Sequence, residues 1–253
     1  MKSSERRKLI LYYLEKNHIG YTIDLAEELN VSPITIHRDF SAMASKGLLT
    51  IIRGGAVLNR GTSVLYSLNF RQDQFPLEKK RIAEYCANLV SDGMTVFIDC
   101  GSTAEKIAEL LRSKRNVTFM TNSLDTAHIL SSSENNTLIM TPGIFSEKLR
   151  GFAGQMTTDF MSRFNVDIIF LGAQGIDIGG GLSSPYHIDT ETKRILIKHA
   201  KKIVVASDHS KFGKIFFETI AMLNEIDLIV TDTGIQSDIL KAIENHSANI
   251  IAV

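Results

Sequence analysis

The sequence predicts an α/β protein in two parts: a small, mostly helical head and a larger body built on a mainly parallel sheet. Three observations carry this reading. The first residues group into three helix-like stretches followed by two short apolar runs around adjacent glycines. From about residue 76 the pattern changes to short, near-continuous apolar strands alternating with helical stretches, as in a parallel sheet covered on both faces. A chain of 253 residues that is 44% apolar can bury a core in each of two modest domains.

The head is justified element by element. Residues 4–17 form a helix, with Leu9, Ile10, Tyr13 and Leu14 at helical spacing. Thr22 is a candidate N-cap for a short helix over Ile23–Leu29, and Asn30-Val31 makes the turn. Ser32 caps the next helix with Pro33 at its first position, where a missing N–H costs nothing. That helix runs to about Ser45 and ends at Gly47. Ile34, Ile36 and Phe40 cannot all face the core; Ile36 and Phe40, four apart, are the expected buried pair. Leu48–Ile52 and Ala56–Leu58 then form a two-stranded hairpin around Arg53-Gly54-Gly55. Residues 59–75 lack periodicity and carry Asn59, Gly61, Ser63, Ser67 and Asn69. They read as a linker, so the expected parts are 1–58, 59–75 and 76–253.

The order helix, turn, helix, hairpin is that of a winged helix-turn-helix, whose second helix enters the DNA major groove. Ser32, Thr35, His37 and Arg38 are suited to base edges and phosphates, and Arg53 beside the wing glycines to an adjacent phosphate or the minor groove. The plainer alternative is that Arg38 and Asp39 are solvated helix charges on a protein-binding trihelix. Net charge is zero, with 28 Lys+Arg and 28 Asp+Glu, but residues 1–60 hold 9 basic and 6 acidic side chains, a basic head on an acidic body.

In the body the candidate strands are Thr95–Ile98, Val117–Met120, Thr137–Met140, Asp167–Leu171, Lys202–Ala206, Leu228–Thr231 and Asn249–Ala252. Ala104, Ile107, Ala108 and Leu111 give one helix its apolar face. Strand Thr95–Ile98 ends in Asp99-Cys100-Gly101-Ser102-Thr103 and flows into that helix, a junction whose N–H groups, hydroxyls and helix dipole suit a phosphate. Thr121-Asn122-Ser123 follows the next strand. Gly172-Ala173-Gln174-Gly175-Ile176-Asp177 and Gly179-Gly180-Gly181 follow a third, where Asp177 suits sugar hydroxyls or else sits solvated in a glycine hairpin. Lys211 follows Ser207-Asp208-His209-Ser210, and Glu191 and Lys193 open a helix. Read alone, these last charges are a solvated face.

The run Val31-Ser32-Pro33-Ile34-Thr35-Ile36-His37-Arg38-Asp39-Phe40, with Gly47-Leu48-Leu49 and Arg53-Gly54-Gly55-Ala56, resembles the N-terminal signature of DeoR-family regulators. His37 stands where that family commonly has Arg, and Arg53 where it often has His. The series Asp99-x-Gly101-Ser102-Thr103, Thr121-Asn122-Ser123, Gly172-x-x-Gly175-Ile176-Asp177, Glu191-x-Lys193 and Asp208-x-Ser210-Lys211-Phe212-Gly213 resembles the family's effector domain. Thr141-Pro142-Gly143 departs from its usual Gly-Gly. The resemblance implies a sensor domain similar to ribose-5-phosphate isomerase. It also implies a repressor of a sugar-utilisation operon that binds double-stranded operator DNA under the control of a phosphorylated sugar. Carried over, Ser102, Thr103 and Lys211 are candidates for the effector phosphate, Asp99, Asn122, Asp177 and Glu191 for sugar hydroxyls, and Gly101 and Lys193 for the effector site at large.

No cofactor, metal or catalytic residue is expected. Cys86 and Cys100 lack metal-type spacing, and no run is long enough to span a bilayer, so the expected setting is cytoplasmic. Two-fold DNA half-sites call for a homodimer or higher homo-oligomer. A rival reading is a sugar-phosphate isomerase or deaminase with an appended head, using Asp99 or Asp177 as carboxylate base. A protein-interaction scaffold would leave the polar strand ends without a purpose.

Overall fold

The computed structural model describes residues 1–17, 19–45, 48–58, 74–245 and 248–253. The chain divides into two compact units, Met1–Tyr66 and Ser67–Val253. The expected linker lies outside the described residues up to position 73, as does the expected helix stop at Gly47.

The head contains α1 (Ser3–Asn17), β1 (Ile19–Tyr21), α2 (Thr22–Glu28), α3 (Pro33–Ala44), β2 (Leu49–Ile52) and β3 (Gly55–Leu58). Its sheet has three antiparallel strands in the order β1-β3-β2, where the sequence suggested two. The added strand is only three residues long, too short to leave a periodic signal. Its partner shows why it fits: a side chain on Gly55 would meet the Gly20 carbonyl oxygen at 2.3 Å, so only glycine lets these backbones close. The buried face of α1 is Ile10, Leu11 and Leu14, while Leu9 is exposed, a shift of one position from the expected stripe. Thr22 is not a cap: it is the first residue of α2, and its N–H donates to the Gly54 carbonyl. Ser32 caps α3 through Thr35 N–H, and Ile36 and Phe40 are both fully buried.

The body adds α4 (Pro76–Asn88), β4 (Thr95–Ile98), α5 (Ser102–Leu111), β5 (Thr118–Thr121), α6 (Leu124–Leu130), β6 (Thr137–Met140), β7 (Ile144–Ser146), β8 (Gly151–Ala153), α7 (Gln155–Met161) and β9 (Ile168–Leu171). It continues with β10 (Gly175–Asp177), β11 (Gly181–Ser184), α8 (His187–Lys198), β12 (Ile203–Ala206), β13 (Glu218–Ala221), β14 (Leu228–Thr231), α9 (Ser237–Asn245) and β15 (Ile250–Ala252). All seven expected strands appear, within a residue at each end, in one parallel sheet ordered β15-β14-β12-β9-β4-β5-β6. Phe97, Ile169, Val205 and Ile229 face one core, and Val96, Ile168, Val204 and Val230 the other. Strands buried on both faces are why the sequence reads as unbroken apolar runs. The antiparallel pair β7-β8 and the addition of β13 to β11 were not anticipated, whereas β10 and β11 form the glycine hairpin that was the alternative reading around Asp177.

From β4 the chain builds outward through β5 to β6, then returns to lay β9 on the other side of β4. The carboxyl ends of β4 and β9 therefore flank a topological switch point, where open α/β sheets offer a crevice.

Candidate functional site

In the head, α3 presents Ser32, His37 and Arg38 to solvent, with Thr35 half-buried. Ser32 Oγ accepts from Thr35 N–H at 3.3 Å and lies 2.9 Å from Thr35 Oγ1, so both hydroxyls already have local partners. Asp39 is not a solvated charge. It is 1% exposed and pairs with Arg6 and Arg7, locking α3 to α1. Arg53 is exposed beside Gly54, whose φ of 81° suits the tip of a wing.

In the body, the crevice at the switch point is lined from three strand ends. β4 contributes Cys100, Gly101, Ser102, Thr103 and Ala104, β9 contributes Gly172–Gln174, and β12 contributes Ser207, Asp208 and Lys211. Lys193 enters from α8. The cavity is about 40 Å³, room for a phosphate-sized group, since one water needs about 10–15 Å³. Gly101, at φ 133°, turns the chain so that the first turn of α5 opens onto it.

Beside Lys193, Asp99 is completely buried. Its Oδ2 accepts from Gly172 N–H at 3.1 Å and lies 3.2 Å from Lys193 Nζ. Lys193 also donates to Gly172 O at 2.9 Å and to Asp189 Oδ2 at 3.0 Å, and Asp189 accepts from Ser184 Oγ at 2.9 Å. Burial opposes the charge of Lys193, but Asp189 and Asp99 outweigh it and hold its pKa above the ordinary lysine value. Burial lifts the Asp99 carboxyl above the usual range despite Lys193. Asp99, Cys100 and Asp189 converge closely enough to suggest metal ligands, but the Lys193 ammonium already stands between the two carboxylates.

Asp208 is also buried, and its Oδ2 lies 3.9 Å from Lys79 Nζ, which donates to Gln74 O at 2.6 Å. Burial would raise its pKa, but Lys211, Lys79 and the Ser210 hydrogen bonds hold it below the ordinary value. Next along, His209 bonds Asp232 Oδ2 through Nδ1 at 2.7 Å, and its ring meets Phe75 edge-on at 4.5 Å.

Of the expected effector residues, the fold gathers Gly101, Ser102, Thr103, Lys193 and Lys211 around one cavity, with Asp99 outside its lining and paired to Lys193. It does not bring the other three there. Asn122 is buried, donating to Phe152 O at 3.3 Å. Asp177 Oδ1 accepts from Gly179 and Gly180 N–H at 2.9 Å, holding the β10–β11 turn. Glu191 sits exposed inside α8, not at its start, and pairs with Arg194 at 3.0 Å. Lys193 is the reverse of a solvated charge. Sequence reading missed Asp189; its position four residues before Lys193, within one helix, was the available signal. Arg150, just before β8, pairs with Asp125 at 2.7 Å. Among the described residues, no helix is long and apolar enough to cross a membrane.

The profile of the DeoR-like helix-turn-helix domain matches residues 6–62, and that of the DeoR C terminal sensor domain matches residues 74–233. The chain is 31% identical over 246 residues to the glycerol-3-phosphate regulon repressor of Escherichia coli (strain K12), covering 97% of each. It is 30% identical over 227 residues to the HTH-type transcriptional regulator IolR of Bacillus subtilis (strain 168), covering 90% of each. A solved D-ribose-5-phosphate isomerase in complex with phospho-erythronic acid is 15% identical, covers 53% of this chain and 52% of that one, and has a TM-score of 0.40. Matched at both its helix-turn-helix and its sensor, and along nearly the full length of a named repressor, the chain belongs to the DeoR family of DNA-binding transcriptional regulators.

Proposed function

We propose that the protein is a repressor whose operator affinity is set by a phosphorylated sugar or polyol bound in the body. The observation that carries this reading is the convergence of the α5 N-terminus, Ser102, Thr103 and Lys211 on one cavity at the switch point. Dipole, hydroxyls and ammonium all favour a phosphate there. The cavity admits the phosphate, and the carbon chain extends into its mouth. Relatives named as glycerol-3-phosphate regulon repressors support the same ligand class.

Binding rather than turnover is favoured by Asp99. A base that removes a proton from a sugar carbon must reach it, whereas this carboxylate is completely buried and held by Lys193 and Gly172. The loop that carries Lys211 also carries Asp208, which faces Lys79 and through it Gln74, and His209, which packs on Phe75, so its contacts reach residues near the start of the body. Effector binding thus has a physical route toward the segment that joins the units. The working form is a cytoplasmic homodimer or higher homo-oligomer on paired half-sites.

The test is a thermal-shift titration with glycerol 3-phosphate, ribose 5-phosphate and glucosamine 6-phosphate, then gel shifts on promoter duplex with the ligand found. A ligand at one hundred times its Kd stabilises by about 2.7 kcal/mol. No stabilisation by any phosphosugar, or stabilisation with no change in duplex affinity, would sink the proposal.

A further inference from the structure

Helix α3 leaves one large apolar side chain outside the core. Ile36, Phe40 and Met43 turn inward and are buried, whereas Ile34 is 68% exposed. His37 and Arg38 follow Ile34 by three and four residues, so the three share a face. Pro33, Ile34, His37, Arg38, Ser41 and Ala42 line one shallow, open depression. The hydroxyls nearby are engaged locally: Ser32 Oγ with Thr35, and Ser41 Oγ donating to His37 O at 2.9 Å.

Charge says what this face meets. The acidic residue of α3, Asp39, is buried against Arg6 and Arg7, so the charged side chain α3 exposes is Arg38. An exposed face that offers a cation and no carboxylate suits duplex DNA. In a helix-turn-helix this helix enters the major groove. Base pairs present hydrogen-bond donors and acceptors there, and a single apolar group, the thymine C5-methyl. Isoleucine has no side-chain donor or acceptor and can read only that group.

We propose that Ile34 is a specificity-determining residue that selects thymine in each half-site by packing on its methyl, beside the hydrogen bonds of His37 and Arg38. The preference is separate from phosphate binding, which carries no sequence information.

The experiment enriches random duplexes with the full chain and with Ile34→Ala and Ile34→Val. It then replaces each enriched thymine by uracil, which lacks only the methyl. The wild type should lose about fourfold in affinity for each contacted methyl removed, the loss expected from burying one such group. Ile34→Val should behave alike. Ile34→Ala should bind thymine and uracil duplexes equally, while its affinity for unrelated duplex and its salt slope stay unchanged. Indifference of the wild type to uracil at every enriched thymine would overturn the proposal. So would an equal uracil penalty in Ile34→Ala, or loss of unrelated-duplex binding by that variant. Failure to enrich any sequence would overturn it together with the assignment of α3 as the base-reading helix.

Discussion

Lys193 Nζ lies 3.2 Å from Asp99 Oδ2, and both side chains are shut away from water. With Asp189 at 3.0 Å, this is a buried triad of two acids and one base. Removing the base strands two carboxylates, a class of change that costs roughly 3–5 kcal/mol. Lys193→Met should therefore be strongly destabilised in urea melts at neutral pH. Asp99, with its raised pKa, binds its proton more readily folded than unfolded, so the variant should regain stability as pH falls toward the carboxylate range. A variant whose deficit is the same at pH 5 and pH 7.5 would contradict this account.

Position separates the charged candidates. Ser102→Ala and Lys211→Ala each remove a group that lines the cavity, and the lost charge-assisted bond of Lys211 should weaken the phosphosugar by about tenfold or more. Asp177→Asn and Glu191→Gln alter a turn and an exposed pair away from it, and should leave affinity within about twofold of wild type. Isothermal titration of the four variants checks both halves, and a large effect from Glu191→Gln would count against the site drawn here.

Lys79→Met breaks the link from Asp208 to Gln74, and Lys79 is not itself among the residues that line the cavity. The phosphosugar should still raise the melting temperature, but its effect on duplex affinity should shrink. Gel shifts with and without ligand measure this. An unchanged ligand effect would show that the signal takes another route.

The His209–Asp232 pair gives a pH signature. The hydrogen bond His209 donates to Asp232 raises the His209 pKa; burial opposes ionisation of Asp232, but the His209 and Gly234 contacts lower its pKa overall. The histidine contribution is complete below its unfolded pKa of about 6.5 and fades as pH rises through the folded value. The aspartate contribution holds above about 3.9 and fades as pH falls through its own folded value. The gap in melting temperature between wild type and His209→Gln should be widest between these limits and close in mild alkali. A gap independent of pH would mean that packing against Phe75, not charge, dominates.

The parallel sheet was legible because its inner strands are buried on both faces, so that Ile168–Leu171 and Ile203–Ala206 carry no polar interruption. The strands that were missed, such as Ile19–Tyr21 and Ile144–Ser146, are three residues long and mostly take their form from a neighbouring strand. In the cavity, Gly101-Ser102-Thr103 was readable because a strand end, a glycine and a helix start fall together in the chain. Asp189 was not, because its meeting with Asp99 joins residues 90 apart and depends on where α8 packs. Asn122 and Glu191 matched a pattern, but orientation decides access, and a linear motif does not encode orientation.

The central strand of the sheet imposes an order on synthesis. β4 takes one neighbour from β5 soon after it, but its other edge waits for β9, about 70 residues later. At roughly 5–20 residues per second, that edge stands open on the ribosome for several seconds. The helices and hairpin of the head precede it in the chain. A ribosome that stalls between residues 100 and 165 would thus leave the head already translated beside a sheet whose central strand still lacks one neighbour.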